Sequence, residues 1–132
     1  MLDVIISECK EDYEILKDYS FRMKEVTNIY HQIFIEKDDI SIRVDLEHYG
    51  NYIGGVLFQK KNEDLCCYAL ADYSHIEGAR DIFDYITSVK KEEFYKEARL
   101  NLFARIFRRK HYNYRLTNLI YSLAEEFIRK VS

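Results

Sequence analysis

Ile40-Ser-Ile-Arg-Val-Asp-Leu-Glu47 decides the fold. Ile40, Ile42, Val44 and Leu46 alternate with Ser41, Arg43, Asp45 and Glu47. Successive side chains of a strand point to opposite faces, so the alternation predicts a strand with one buried and one polar face. His48-Tyr49-Gly50-Asn51 follows as a turn, and Tyr52 to Gln59 reads as a second strand whose Gly54-Gly55 pair marks a bulge or a close backbone approach. Lys61-Asn62-Glu63-Asp64 is the next turn and Leu65 to Asp72 the third strand. Connections this short join antiparallel neighbours, so the three strands are expected to form a meander.

On the N-terminal side, apolar residues fall at Leu2, Ile5, Ile6, Cys9, Tyr13, Leu16, Tyr19, Met23, Val26, Tyr30, Ile33 and Phe34. These three and four spacings predict one helix of about 33 residues and roughly 50 Å, with a bend or break near Ser20. His31 falls near its end, where a partly charged imidazole complements the helix dipole. On the C-terminal side, Ser74-His75-Ile76-Glu77 has the spacing of a capping box. It predicts a helix whose apolar face is Ala79, Ile82, Phe83, Ile86 and Val89, followed by helical sequence from Phe94 to about Lys110. His111-Tyr-Asn-Tyr114 reads as a corner, and Tyr112, Leu116, Leu119, Ile120, Leu123 and Phe127 give a final amphipathic helix. The expected fold is α+β: a long N-terminal helix, a three-stranded antiparallel meander, then two or three C-terminal helices packed on the sheet. Residues 1–132 form a single domain on this reading, since 132 residues at 48% hydrophobic supply one core and the absence of proline leaves few breaks.

No apolar run approaches the ~20 residues that span a bilayer, and Met1-Leu2-Asp3 followed by mixed charge is not a secretory signal. Cys9, Cys66 and Cys67 are an odd set without a CxxC. A cytoplasmic protein with no membrane partner and no disulfide framework is expected. The net charge of −3 hides an asymmetry, because residues 98–115 carry Arg99, Arg105, Arg108, Arg109, Lys110 and Arg115 with no acid, whereas residues 1–97 are strongly acidic. An acidic body repels phosphate and disfavours nonspecific nucleic-acid binding by the whole surface.

No metal or cofactor is expected. His31, His48, His75 and His111 lack zinc-ligand spacing with one another or with the cysteines, His75-Ile-Glu77 lacks the downstream Pro-Cys-x-x-Cys of zinc deaminases, and Gly54-Gly55 lacks the lysine and serine of a phosphate loop. Arg105, Arg108, Arg109 and Tyr112 share a helix face and would suit a phosphate backbone with an aromatic to stack on. Arg105 and His111, with five residues between them, resemble the signature of HEPN-type ribonucleases, which implies a histidine working as general acid or base beside an arginine-held phosphate. Ile106 stands where that signature usually has a polar residue, and the strand block does not suit that all-helical family. The plainer reading is a basic face that is solvated or paired with Glu8, Glu11, Asp12, Glu14, Asp18 and Glu25 of the first helix.

Twelve tyrosines are the remaining oddity. Tyr49, Tyr52, Tyr68 and Tyr73 gather beside the hairpins, interleaved with Asp45, Glu47, Glu63, Asp64 and Asp72. Tyrosine is an interface anchor and carboxylates steer a basic partner, although tyrosines also pack sheet edges. The expected partner-binding set is Asp45, Glu47, Tyr49, Tyr52, Asp72 and Tyr73, against a protein with a basic surface.

The stretch from Ile40 to Ile86, with Ile-Ser-Ile-Arg-Val-Asp-Leu, then Tyr-Ile-Gly-Gly-Val-Leu-Phe, then a strand ending in Ala-Asp-Tyr and a helix, resembles in layout the small immunity proteins of bacterial polymorphic and contact-dependent toxin systems. That resemblance implies a non-enzymatic cytosolic inhibitor that binds one protein, and phage-encoded anti-defence inhibitors share the same physical profile. The alternative is a nucleic-acid-binding or HEPN-like RNA-cleaving protein using the basic residues 99–115. A homodimer through the long first helix is compatible with either.

Overall fold

The structure, a computed structural model, describes residues 2–61, 65–68, 79–81 and 109–132, with the backbone alone at 65–68, 79–81, 109, 110 and 112. The chain runs α1 (Leu2–Lys10), a 3-10 turn (Glu14–Leu16), β1 (Ser20–Glu25), β2 (His31–Lys37), β3 (Ile40–Glu47), β4 (Tyr52–Lys60), β5 (Leu65–Tyr68), β6 (Ala79–Asp81) and α2 (Arg109–Val131). The strands lie side by side in chain order. β1 to β4 are an antiparallel meander, β5 extends it antiparallel, and β6 pairs parallel with β5. The α+β class and the central hairpin therefore stand as the alternating pattern predicts.

One face of the sheet makes the core. Ile33 and Ile35 of β2, Ile42, Val44 and Leu46 of β3, and Ile53, Val56 and Phe58 of β4 are buried together with Leu2, Ile5, Ile6 and Cys9 of α1 and Leu116, Ile120, Leu123 and Phe127 of α2. The rings of Phe58 and Phe127 lie 5.6 Å apart and seat α2 on β4. The two helices are tied by tyrosines. The Tyr121 hydroxyl donates to the Ile6 carbonyl, the Tyr13 hydroxyl donates to the Asn118 carbonyl at 2.9 Å, and the two rings meet edge-on at 5.4 Å.

The N-terminal third corrects the sequence reading. α1 has nine residues rather than about 33, and a 3-10 turn, β1 and the start of β2 follow it in that stretch. Met23 and Val26, which the helical stripe would bury, are 49% and 45% exposed. Two physical signals outweigh the spacing. Val26, Thr27, Ile29, Tyr30, Ile33, Phe34 and Ile35 are a dense run of β-branched and aromatic residues, and Thr27 Oγ1 accepts from the Ile29 and Tyr30 amides at 3.2 and 3.0 Å, which closes a turn. His31 consequently opens β2 and does not end a helix. The apolar side of α1 is spent in the core, so the long helix through which a homodimer is expected does not exist.

Two further corrections fall in the second half. Ala79–Asp81 is a strand, not part of a helix begun at Ser74, and Ser74 to Glu77 lie outside the described residues. His111 to Tyr114 lie inside α2 and form no corner, since the helix already starts at Arg109. The stretch from Phe94 to Arg108, and Asp72 and Tyr73 beyond β5, are outside the described residues. No described helix is long and apolar enough to cross a membrane.

Candidate interaction site

The face of the sheet away from the core is cross-linked rather than simply acidic. Asp45, one of the carboxylates expected to steer a partner, is 6% exposed. Arg43 grips it twice, Nε to Oδ1 at 3.0 Å and Nη2 to Oδ2 at 3.2 Å, and Gln32 Nε2 reaches it at 3.4 Å while also donating to the Tyr30 hydroxyl at 3.3 Å. The register explains the pair. Successive side chains alternate, so Arg43 and Asp45 emerge on the same face, with Phe34 and Gln32 directly across on β2. Nearby, Arg22 of β1 lies 4.1 Å above the Phe34 ring and bonds Glu36 at 3.1 Å, while Lys61 reaches the other Glu36 oxygen at 3.3 Å. Burial pushes the Tyr30 phenol above its ordinary value. The expectation that Asp45 is a free surface carboxylate is therefore corrected. Glu47 is exposed, and its chain lies over Gly54, the extra residue of the predicted bulge, where an added Cβ would come 2.5 Å from its carboxyl carbon.

The two turns at one end of the sheet are joined. The Tyr49 amide donates to the Ile29 carbonyl at 2.9 Å, fastening the β3–β4 turn to the β1–β2 turn. Across this end Val26, Ile29 and Tyr49 are 45%, 49% and 62% exposed. His48 and Tyr49 stand at φ of 52° and 60°, followed by Gly50 at 80°. A bulky side chain in left-handed backbone costs roughly 1–2 kcal/mol. The surrounding bonds hold it there: the Asn51 amide donates to the Glu47 and His48 carbonyls at 3.1 and 3.2 Å, Asn51 Nδ2 donates to the His48 carbonyl at 2.9 Å, and the His48 and Tyr52 rings meet edge-on at 5.4 Å. Tyr52 is thus half-buried and braces the turn, while Tyr49 is presented to solvent. Exposed Glu25 and Glu47, at the ends of β1 and β3 that adjoin these turns, supply negative charge. Sequence reasoning finds Tyr49 and misses Val26 and Ile29, because it places them on a helix; the Thr27-Asn28 pair is the available turn signal.

Of the basic set, Arg105 and Arg108 lie outside the described residues, Arg109 and Tyr112 are placed on α2 by backbone, and His111 is exposed in the first turn of that helix. Of the six acids expected to neutralise them, three have a nearer partner, Glu11 with Lys10 at 3.4 Å, Glu14 with Lys17 at 2.9 Å and Asp18 with Lys37 at 4.0 Å. At the other end of the sheet a cleft of about 330 Å³ opens between the β2–β3 turn and the end of α2, lined by Tyr19, Lys37, Asp38, Ile40, Lys60 and Val131. Lys60 donates to the Val131 carbonyl and Lys37 lies 5.9 Å from the Tyr19 ring centroid. Among the described residues no three His, Cys, Asp or Glu side chains are grouped to hold a metal ion. Comparison with protein-family models, curated proteins and solved structures returns no match.

Proposed function

We propose that the protein is a non-enzymatic binding module, an inhibitor of the immunity or anti-defence type, that occludes a protein partner docked on the paired turns. The observation that supports this best is Tyr49, exposed at 62% in left-handed backbone and fastened to Ile29. An aromatic kept out of the core at a conformational cost is a marker of use rather than of packing. Val26 and Ile29 beside it add apolar contact area, and Glu25 and Glu47 favour a partner with a basic rim. Beneath the turns Gln32 of β2 reaches across to Asp45 of β3, a cross-strand bond that helps hold the surface in place before docking.

Affinity purification from the native cell, with and without nuclease and with unaltered protein beside Tyr49→Ala, tests the reading. A stoichiometric protein that survives nuclease and is lost with Tyr49→Ala supports it. RNA or DNA that co-purifies with both forms would favour the basic helix and a nucleic-acid function.

A further inference from the structure

We infer that the edge of β1, unpaired among the described residues, accepts an extended segment of a partner protein as an added strand, and that this segment carries acid, apolar and acid side chains in succession. β1 is the first strand of the sheet, and five of its six residues are exposed. The Val26 amide donates to the Tyr30 carbonyl at 3.1 Å, continuing the register in which Glu25 faces His31 and Lys24 faces Gln32. Hydrogen-bonded pairs alternate along an antiparallel ladder, so Ser20, Arg22 and Lys24 turn their backbone groups to β2, and Phe21, Met23 and Glu25 turn theirs outward. Those outward groups are a template for one more strand.

The side chains decide what that strand is. Arg22 and Lys24 share the face away from the core, and Met23, between them, is an apolar side chain left 49% exposed on the other. Arg22 spends Nε on Glu36, and among the described residues Lys24 has no ion-pair partner. A second copy of this chain fits badly, because antiparallel pairing sets same-face residues opposite each other. Met23 against Met23 would put Arg22 against Lys24 of the second copy, and sliding either way would put Arg22 against Arg22 or Lys24 against Lys24. Like charges directly opposite are destabilising. Carboxylates opposite Arg22 and Lys24, with an apolar residue opposite Met23, reverse the sign of that interaction and cover Met23. The inference stands on this edge alone and does not depend on Tyr49.

The test is an anisotropy titration of the full chain with a labelled peptide of alternating glutamate and valine. Its controls are the same peptide with lysine for glutamate and the same peptide N-methylated at valine, which loses the amides that would face the edge. Met23→Pro removes one outward N–H without touching the β1–β2 ladder, as edge prolines do, and circular dichroism checks its fold. Saturable binding of the acidic peptide is expected, weaker by about tenfold or more with N-methylation and with Met23→Pro, and shifted toward the lysine peptide by Lys24→Glu. No saturable binding, or binding indifferent to N-methylation, overturns the inference. So does a concentration-dependent dimer that Met23→Pro dissolves, since the edge would then be taken by a second copy. Loss of partner capture with Tyr49→Ala while the peptide still binds concerns the turn surface alone.

Discussion

Arg43 and Asp45, two residues apart on β3, close a bidentate ion pair on the face of the sheet opposite the core, with the carboxylate almost wholly out of water. A charge so placed is tolerable only while its partner is there. The alternating sequence that placed both residues on one face shows nothing of this, because alternation reports which side a residue is on and not whether that side is wet.

Removing Asp45 takes the bidentate carboxylate from a half-buried guanidinium. Asp45→Ala should therefore lower stability by about 2 kcal/mol in urea unfolding, whereas Glu47→Ala, on the exposed end of the same strand, should stay within about 0.5 kcal/mol. Equal midpoints for the two variants would mean that Asp45 is solvated after all and available to a partner.

Four tyrosines give the protein an alkaline limit. Burial is the leading cause that pushes the phenols of Tyr13, Tyr19, Tyr30 and Tyr121 above the ordinary tyrosine value, Tyr121 furthest. Below about pH 10 these groups are protonated in both folded and unfolded chains and stability does not depend on them. Above it the unfolded chain ionises first, so stability falls as pH rises until the folded phenols ionise as well. Thermal melts from pH 8 to 11.5 should show a plateau and then a decline, and Tyr121→Phe should begin about 1 kcal/mol lower for its lost bond to Ile6 but decline less steeply. An unchanged slope in Tyr121→Phe would remove Tyr121 as a source of the decline.

Two glycines separate backbone necessity from mere space. Gly50 has φ of 80° and the His31 ring 3.0 Å from where a Cβ would stand, so Gly50→Ala should cost about 1–2 kcal/mol in the same unfolding experiment. At Gly54 the atoms nearest the added methyl are Cγ, Cδ and Oε1 of the flexible, exposed Glu47 side chain, which can swing away, so Gly54→Ala should cost less than Gly50→Ala. The opposite ranking would place the strain of this hairpin in the bulge instead of the turn.

The β3–β4 hairpin was legible because the alternation of β3 is unbroken and the glycines of β4 sit where the register shifts between Asp45 and Leu46. α2 was legible from Leu116 to Phe127 for the same reason at the other period. The stretch from Tyr13 to Phe34 was not. Leu16 is buried at the end of the 3-10 turn and Tyr19 just before β1, Met23 lies on an edge strand, Val26 lies in a turn, and Ile33 is in the core. These different environments happen to leave their apolar residues three and four apart, and a spacing rule cannot tell that coincidence from one helix face. At the candidate site Tyr49 was legible as an unsatisfied aromatic in a turn, but the pairing of that turn with Ile29 depends on two hairpins meeting across the sheet, which no local pattern carries.

Tyr49 sets stability against binding, and the two can be measured apart. Glycine adopts φ of 60° freely, so Tyr49→Gly should stabilise the chain by about 1 kcal/mol, while Tyr49→Ala keeps a Cβ in left-handed backbone and should stay near the unaltered value. Both remove the exposed ring. If the ring is the anchor of the interface, both should weaken partner binding by about 2 kcal/mol, roughly thirtyfold, mostly through faster dissociation. Glu25→Gln with Glu47→Gln should act on the other rate, slowing association and flattening its salt dependence, because rim charges steer encounter more than they hold the complex. Stopped-flow association and surface-plasmon dissociation against the purified partner read the two effects separately. A Tyr49→Gly protein that is more stable and binds as tightly as before would show that the strained turn serves something other than docking, and would move the interface to another face of the molecule.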